Sequence, residues 1–356
     1  MTTIETTPRR GPWAGIATVA RQEFRVRLRT GRWRWLLLAW FLVVGAVAVM
    51  LRLGLAVNST DSPPGIPLFG GVMLFVLGLA LLVAPALTAQ SINGDRERGT
   101  LATVQVTRLT PTEIVLGKLA AAWGTALVFL ALTVPYVVWA ILEGGVGIVR
   151  AVVVMLIVAL LVGVVCAAAQ ALSALFSRGI TATLMSYLLV FALGVGTVIT
   201  FGLATAMTSR QETVTYESPP VDENGYPIPG QPAQVETYTT RVPHPEYVWW
   251  LVAPNPFVIL ADSAPEPPLR YDKWTRRMQP DTDMDPLSMI GESVRELRKP
   301  RKTETVYSSY EIREDGPAVW PWGLGFNVLL GAGSVLISIR RLRTPVHGLA
   351  KGVRIA

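Results

Sequence analysis

Residue types that commonly do chemistry are few in this sequence and stand far apart. The only histidines are His244 and His347, and the only cysteine, Cys166, lies inside an apolar run. A single cysteine can form neither an internal disulfide nor a cysteine-rich metal site. The metalloprotease pattern HExxH and the hydrolase pattern GxSxG are both missing from the sequence. The sequence therefore predicts no catalytic residue and no metal site, and we expect both histidines to be surface residues without a role.

Nucleotide chemistry also lacks its usual residues. The phosphate-binding pattern GxxxxGK[ST] does not occur, and Gly117-Lys118 is only a fragment of it. The chain therefore cannot cradle a nucleotide by the P-loop route. If ATP drives this protein, its hydrolysis must take place on another subunit, and no cofactor is expected on this chain.

One polar stretch stands out between two long apolar runs. It reads Asn93-Gly-Asp-Arg-Glu-Arg-Gly-Thr-Leu101 and closes at Leu116-Gly-Lys118. A charged, helix-prone loop in such surroundings is expected at a membrane face, where a soluble partner could grip it. The simpler alternative is an ordinary solvated loop that only marks the cytoplasmic side.

Composition favours a membrane protein. The chain has 356 residues, of which 51% are hydrophobic and 16% charged, whereas soluble domains carry about 25% charged residues. The net charge is +7, but residues 208–317 carry −6 and the remainder +13. Basic charge beside apolar runs indicates membrane orientation and contact with lipid, not binding to nucleic acid.

A helix needs about 20 mostly apolar residues to cross a bilayer, and six runs meet this requirement. They are Trp35–Val57, Ile66–Ala89, Leu119–Leu142, Ala151–Phe176, Ile180–Met207 and Ala318–Ile339. We therefore predict an all-α integral membrane protein with six transmembrane helices. Polar residues inside these runs, such as Gln170, Ser173, Ser186 and Asn327, are expected to hydrogen-bond between helices or, alternatively, to line a path.

Lys and Arg residues set the predicted orientation. They are concentrated before the first run, between the second and third, and after the sixth, which places both termini in the cytoplasm. We expect a multi-pass protein of the cell (plasma) membrane in a prokaryote. The predicted segments are a cytoplasmic tail with an interfacial helix, five spans with a loop at 90–118, an outer insert, a sixth span and a second tail. Their bounds are 1–34, 35–207, 208–317, 318–339 and 340–356.

The insert between the fifth and sixth spans is expected outside the cell. It holds 16 of the 26 prolines, which argues against a further spanning helix. Alternating residues predict strands at Glu212–Tyr216, Val235–Thr239 and Thr305–Tyr310, and Asp285-Pro286 predicts a helix start. Four apolar residues then share one helical face: Leu287, Ile290, Val294 and Leu297. A small α+β extracellular domain follows, with a loosely ordered proline-rich loop as the alternative.

Two shorter segments also suit a membrane. Tyr247–Ala261 carries paired tryptophans and is too short to span, so it predicts an interfacial or re-entrant segment, or alternatively a core strand of the outer domain. Residues 12–34 predict an amphipathic helix whose apolar face lies on the inner interface and whose arginines meet anionic lipid. Its predicted lipid-facing residues are Ile16, Ala20, Phe24 and Leu28. A basic flank without a fixed helix is the alternative.

A helix start precedes the third span. Thr110 can act as the N-cap, Pro111 occupies the first helical position, and Glu113 stands at the third, which together form a capping box. The helix that begins there is expected to run through Gly117 and Lys118 into the third span.

These residues bear a resemblance to a known family. Asp95-Arg-Glu-Arg-Gly-Thr-Leu101, followed by Leu109-Thr-Pro-Thr-Glu-Ile-Val-Leu-Gly-Lys118, resembles the signature of ABC-2 type permeases. The basic segment Ala20–Arg29 is similar to the one that precedes span one in that family. The family's leucine-rich turn is replaced here by Val104–Arg108, and the family's outer loop is typically much shorter than 208–317.

The resemblance implies a membrane subunit of an ATP-driven exporter. It implies a permease homodimer or paralogous heterodimer that binds separate ABC ATPase subunits, which hold the ATP and Mg. It assigns the first cytoplasmic loop as the coupling helix, with these residues in or beside it: Asp95, Arg96, Glu97, Arg98, Gly99, Thr100, Leu101, Thr110, Pro111, Glu113, Gly117 and Lys118. The alternative is a non-transporting subunit that moves its outer domain mechanically. The substrate is not identified by the sequence.

Overall fold

The computed structural model describes residues 11–29, 31–57, 63–97, 109–218, 234–272, 277–280, 284–299 and 316–343. The predicted strand Thr305–Tyr310, His347 and most of the C-terminal tail lie outside these ranges.

Helices dominate the part of the chain that would lie in the membrane. In chain order they are α1 (Pro12–Arg29), α2 (Arg32–Val57), α3 (Gly65–Thr88), α4 (Asn93–Glu97), α5 (Pro111–Ala131), α6 (Val134–Leu142), α7 (Ile148–Leu175), α8 (Gly179–Phe191), α9 (Thr197–Met207) and α12 (Trp320–Leu342). A π-helical turn, Ala192–Gly196, joins α8 to α9. The insert holds α10 and α11, whose bounds follow below.

Within the described ranges, six stretches of helix are long and apolar enough to cross a membrane. They are Trp33–Val57, Gly65–Asp95, Pro111–Leu142, Ile148–Leu175, Gly179–Met207 and Trp320–Leu342, called spans one to six below. The predicted number of spans is confirmed, and the chain is a multi-pass α-helical membrane protein. Span three starts at Pro111 and not near Leu119, because the capped helix joins the apolar run without interruption.

Spans two and four form the centre of the bundle. In an apolar stretch of 18 residues within each of these spans, 56% of the residues are buried. The same share is 17% in span one and 6% in span five. The largest buried cluster combines residues of these two spans with Ile259, Leu260 and Leu287 from the insert. The insert therefore contributes to the same apolar core as the spans.

Span three is broken close to one end of the bundle. Helix α5 ends at Ala131 and α6 begins at Val134, because Pro135 has no N–H to continue the hydrogen bonding. Beyond α6, the Glu143 carboxylate accepts a hydrogen bond from Nε of Arg52 at 2.9 Å. Spans one and three thus run side by side and meet at the end of the bundle from which the insert leaves, called the insert end below.

The described part of the insert contains two hairpins and two helices. Strands β1 (Arg210–Ser218) and β2 (Gln234–Val242) pair antiparallel, as do β3 (Leu269–Asp272) and β4 (Arg277–Pro280). The first pair contains the predicted strands Glu212–Tyr216 and Val235–Thr239. Two 3₁₀ turns, Pro245–Tyr247 and Trp249–Leu251, lead into α10 (Pro256–Ser263), and α11 covers Pro286–Glu296. The alternative of a core strand at Tyr247–Ala261 is therefore wrong.

Helix α10 begins deep between the spans. The Phe257 ring lies 3.6 Å from where a Cβ on Gly78 would stand, and Gly78 is near the middle of α3. From span six, the amide of Asn327 donates to the carbonyl of Pro254 at 3.0 Å. A side chain on Gly323 would overlap the carbonyl oxygen of Ala253. The segment before α10 thus packs against span six without room for another atom.

A buried aspartate joins α10 to the start of span six. Asp262 has no exposed side chain, and its Oδ2 accepts from the backbone N–H groups of Val319 and Trp320 at 2.7 Å each. Its Oδ1 lies 2.5 Å from Nε of Arg295 on α11. The carboxylate thereby satisfies amides at the N-terminus of α12 that have no partner within that helix.

A second buried aspartate joins α11 to span four. Asp285 is the N-cap of α11, as predicted, and accepts from the N–H groups of Leu287 and Ser288. It also pairs with the guanidinium of Arg150 in the first turn of α7, where both side chains are almost fully buried. The predicted apolar face of α11 is confirmed. Leu287 is buried in the main core of the spans and Val294 in a second cluster with residues before and in α10, against which Ile290 and Leu297 pack half-buried.

Candidate functional site

The candidate coupling segment follows α3 after a short turn and forms α4, whose first residues end span two. This helix is held to span four by Ser173, whose hydroxyl oxygen accepts from the N–H groups of Ile92 and Asn93 at 3.2 and 3.1 Å. Asn93 is completely buried. The start of α4 is therefore fixed to the bundle, as expected for a backbone whose first N–H groups need partners outside the helix.

Lys118 lies at the centre of the site. Its Nζ is 2.6 Å from Asp95 Oδ2 on α4 and 2.6 Å from Glu23 Oε1 on α1. The lysine side chain is 5% exposed, Asp95 16% and Glu23 29%. Burying an ammonium is costly unless opposite charges pair with it, and here two carboxylates do so. One cation thus connects α1, α4 and span three.

The capping box at the start of α5 is present. Glu113 Oε2 accepts from the N–H and the hydroxyl of Thr110 at 2.7 and 2.9 Å, and the Glu113 N–H donates back to Thr110 Oγ1 at 3.3 Å. Pro111 occupies the first helical position. A Cβ on Gly15 of α1 would stand 2.5 Å from Glu113 Oε1, so α1 also packs against this cap.

Helix α1 runs alongside α5 in the same direction. Val19 packs at Gly117 and Phe24 at Gly124, where added Cβ atoms would stand 2.6 and 3.0 Å from these side chains. The alternative without a fixed helix is therefore wrong. Of the apolar stripe predicted to face lipid, Phe24 packs on span three instead, because Gly124 there leaves room for its ring. Ile16 and Ala20 are half-buried, and the side chain of Leu28 lies outside what the structure describes. Arg21 and Arg25 stand on the opposite, exposed face.

Apolar contacts also hold four spans together at the end of the bundle where Lys118 lies. A separate buried cluster consists of Ile92, Ile114, Val115, Ala174 and Leu342. Nearby, the amide of Gln170 on span four donates to the carbonyl of Val115 on span three at 3.0 Å. The predicted interhelical use is confirmed for Gln170 and for Ser173. Asn327 instead donates to Pro254 in a turn of the insert and to Gly323 in its own helix, and Ser186 bonds within its own helix, to Ala182.

The structure brings together only part of the predicted site. Asp95, Lys118, Thr110, Pro111, Glu113 and Gly117 meet as described. The backbone of Arg96 and Glu97 belongs to α4, and their side chains are not described; Arg98, Gly99, Thr100 and Leu101 lie outside the described residues. Sequence reasoning missed Glu23, and it expected an interhelical bond at Ser173 without connecting that residue to α4. Glu23 carried a signal, since it is the only acid between Arg21 and Arg34.

The insert end holds the described histidine in a charged pocket. His244 is 6% exposed, so its interpretation as a surface residue is wrong. Its Nδ1 lies 2.6 Å from Glu246, and its Nε2 lies 3.0 Å from Glu212 without the angle of a hydrogen bond. Among the described residues no three His, Cys, Asp or Glu side chains are grouped so as to hold a metal ion.

No protein-family model matches the sequence, and no curated protein matches it either. The likeness to ABC-2 type permeases therefore rests on the residues quoted above and remains a hypothesis. The geometry can do one thing at the Lys118 end: it can transmit a displacement of α4 to α1 and to spans three and four.

Proposed function

We propose that this chain is the permease subunit of an ATP-driven ABC-2 type transporter, working as an exporter. Separate ABC ATPase subunits would bind ATP and Mg and press on α4, and a second permease would complete the complex. The observation that carries the proposal is the position of Lys118, which holds Asp95 of α4 and Glu23 of α1 at 2.6 Å each.

Two links make α4 a suitable lever. Through Lys118, its movement acts on span three near the capped start of α5. Through Ser173, which accepts from Ile92 and Asn93, the same movement acts on span four. The Ser173 link is buried and the Lys118 link is largely buried, so water weakens them less than it weakens exposed ion pairs. A push on one five-residue helix would therefore reach two spans together.

Orientation supports the same proposal. The Lys118 end carries the basic flank at 21–34 and the arginines at 340–343, which favours the cytoplasmic side. The insert would then be a small α+β unit outside the cell, a proposal supported by two hairpins and helices α10 and α11. Labelling single-cysteine variants in a Cys166→Ala background tests this. Arg96→Cys should react only in opened cells and Glu266→Cys in intact ones, and the reverse pattern refutes the orientation.

Coupling is tested with the tagged chain purified from its own cells. A P-loop ATPase should co-purify, and its MgATP hydrolysis should rise when the permease is present. Changing Glu97 and Arg98 together to alanine should reduce both by tenfold or more, since about 1.4 kcal/mol corresponds to a factor of ten. Glu266→Ala, an exposed change at the insert end, is the matched control. Unchanged association and hydrolysis in the double variant would refute coupling.

A non-transporting role is a second candidate, favoured by one observation. Ile259, Leu260 and Leu287 of the insert belong to the main core of the spans, so a movement started at α4 could reach an outer domain. The β1–β2 hairpin tests this role, because Arg210 pairs with Val242 and a two-glycine link can replace 212–240. Loss of a cellular phenotype with intact ATPase stimulation and intact export would favour the mechanical role.

A further inference from the structure

Span five contains one irregular turn near its middle. In the π-helical segment Ala192–Gly196, the N–H of Thr197 donates to the carbonyl of Ala192, five residues back. The carbonyl of Leu193 consequently lacks the N–H it would receive in an α-helix. The Thr197 hydroxyl donates to that carbonyl instead, at 2.8 Å. Such turns insert one extra residue into a helix and are often found at functional positions.

The turn is contacted by a side chain from the insert. Asn255 Nδ2 lies 2.6 Å from the carbonyl oxygen of Gly194 and 2.9 Å from Thr197 Oγ1. The Thr197 hydroxyl also lies 3.3 Å from the carbonyl oxygen of Gly194. Because the Asn255 amide donates to that carbonyl and to the hydroxyl oxygen, the hydroxyl hydrogen is left for the nearer acceptor, the carbonyl of Leu193 at 2.8 Å. Asn255 is 2% exposed, so water does not compete for these bonds. A single side chain therefore satisfies the carbonyl of Gly194 and orients the group that satisfies Leu193.

The same residue starts the re-entering helix. Asn255 Oδ1 accepts from the N–H of Phe257 at 2.9 Å and so caps α10. The Phe257 ring lies between span two and span five, 3.6 and 3.8 Å from where Cβ atoms on Gly78 and Gly194 would stand. The rest of span five is little buried, since only 6% of the residues in its apolar 18-residue stretch are buried. The insert is thus a main support of this part of the span.

We propose that Asn255 is a positioning residue that holds the π turn, and that span five becomes a continuous α-helix when this contact is lost. Removing one inserted residue rotates α9 against α8 by about 100° and shifts it by about 1.5 Å, the angle and rise per residue of an α-helix. Since α9 leads directly to β1 at Arg210, the hairpin would turn with it. The shape of span five would then be set by a segment of the insert.

A nitroxide scan of the full chain in lipid nanodiscs tests the proposal. In a Cys166→Ala background, single labels along α8 and α9 report oxygen accessibility, which peaks at lipid-facing positions. The native peaks should follow the exposed residues Leu184 and Leu188 in α8 and Leu203 in α9. In Asn255→Ala the α9 peak should move by one residue, from Leu203 to 202, while the α8 peaks stay in place.

Matched variants separate the effect of the Asn255 contact on the π turn from a general loss of stability. Thr197→Val removes the hydroxyl between Asn255 and Leu193 and should give the same one-residue shift. Thr200→Val removes a hydroxyl that donates to Gly196 at 2.7 Å in the same helix, outside the Asn255 contact, and should give none. Should Asn255→Ala fail to fold, Asn255→Asp keeps the cap on α10 but loses the donor to the turn.

The outcomes are distinct from those of the transport proposal, because no nucleotide or ATPase enters this assay. If the accessibility peaks of α9 stay at their native positions in Thr197→Val and in the Asn255 variant that folds, the proposal that Asn255 holds the π turn is refuted. An equal shift in Thr200→Val would also overturn it, since any lost hydroxyl would then suffice.

Discussion

Replacing Lys118 by methionine is the sharpest test of the junction between α1, α4 and span three. Methionine keeps the length and the apolar stem but removes the ammonium. Asp95 and Glu23 would then face each other's charge without the cation that lies 2.6 Å from each. The chain should become less stable, and the loss should come mostly from the less exposed carboxylate.

The magnitude follows from the burial of the three side chains. Removing one partner of a fully buried pair costs about 3–5 kcal/mol, and a hydrogen bond to a charged group contributes about 1.5–3 kcal/mol. Asp95 is 16% exposed and Glu23 29%, so water recovers part of the loss, more at Glu23. We expect about 3 kcal/mol for Lys118→Met, with coupling energies of about 2 kcal/mol to Asp95 and about 1 kcal/mol to Glu23.

Unfolding in mixed detergent micelles measures these energies, because the 11 tryptophans give a fluorescence signal. The double-mutant cycles combine Lys118→Met with Asp95→Asn and, separately, with Glu23→Gln. Arg178→Met changes an exposed cation and should cost less than about 0.5 kcal/mol. Coupling energies below about 0.5 kcal/mol in both cycles would refute the view that Lys118 joins the three elements.

Two further predictions concern the insert end and span six. The hydrogen bond from Arg52 holds the pKa of the Glu143 carboxyl below its usual range, so this pair stabilises the fold at neutral pH and the stabilisation is lost as pH falls through the lowered pKa. Melting temperatures should therefore fall less on acidification in Glu143→Gln than in the native chain; equal slopes contradict this. Gly323→Ala should cost about 2 kcal/mol or more through overlap with Ala253, whereas Gly325→Ala, in open space, should not. Thermal unfolding measures both, and equal melting temperatures would refute the close packing.

Local patterns carried the parts of the fold that could be predicted. The six apolar runs, the capping box at Thr110 and Glu113, and the start of α11 at Asp285 depend on residues within a few positions of one another. A span forms because a continuous run of apolar residues can lie in the bilayer, and a helix start forms because a side chain caps the N–H groups of the first turn. Both causes involve only residues that are neighbours in the sequence.

Pairings between distant residues could not be predicted. Glu23 and Lys118 stand 95 positions apart, and Arg150 and Asp285 stand 135 apart. No periodicity in the sequence connects them. The burial of His244 was missed for the same reason, because its carboxylate neighbour Glu212 belongs to the preceding hairpin.

The apolar stripe of α1 shows a different limit. Its residues recur at helical spacing, which correctly predicts the helix, but an apolar face does not state whether lipid or protein covers it. The groove at Gly117 and Gly124 decides the matter, since these glycines let α1 approach span three closely. The π turn in span five likewise has no residue pattern that distinguishes it from ordinary helix.

The carboxylate of Asp262 has a consequence for biosynthesis. In the folded chain it is buried beside Arg295 and accepts from the backbone amides of Val319 and Trp320, which are synthesised some 57 residues later. Until the last hydrophobic segment has been made and inserted, the Asp262 carboxylate would lack these two hydrogen-bond donors. We expect chains that stop before Val319 to be recognised as incomplete and degraded, so synthesis of the last segment would also serve as a check that α10 and α11 have docked.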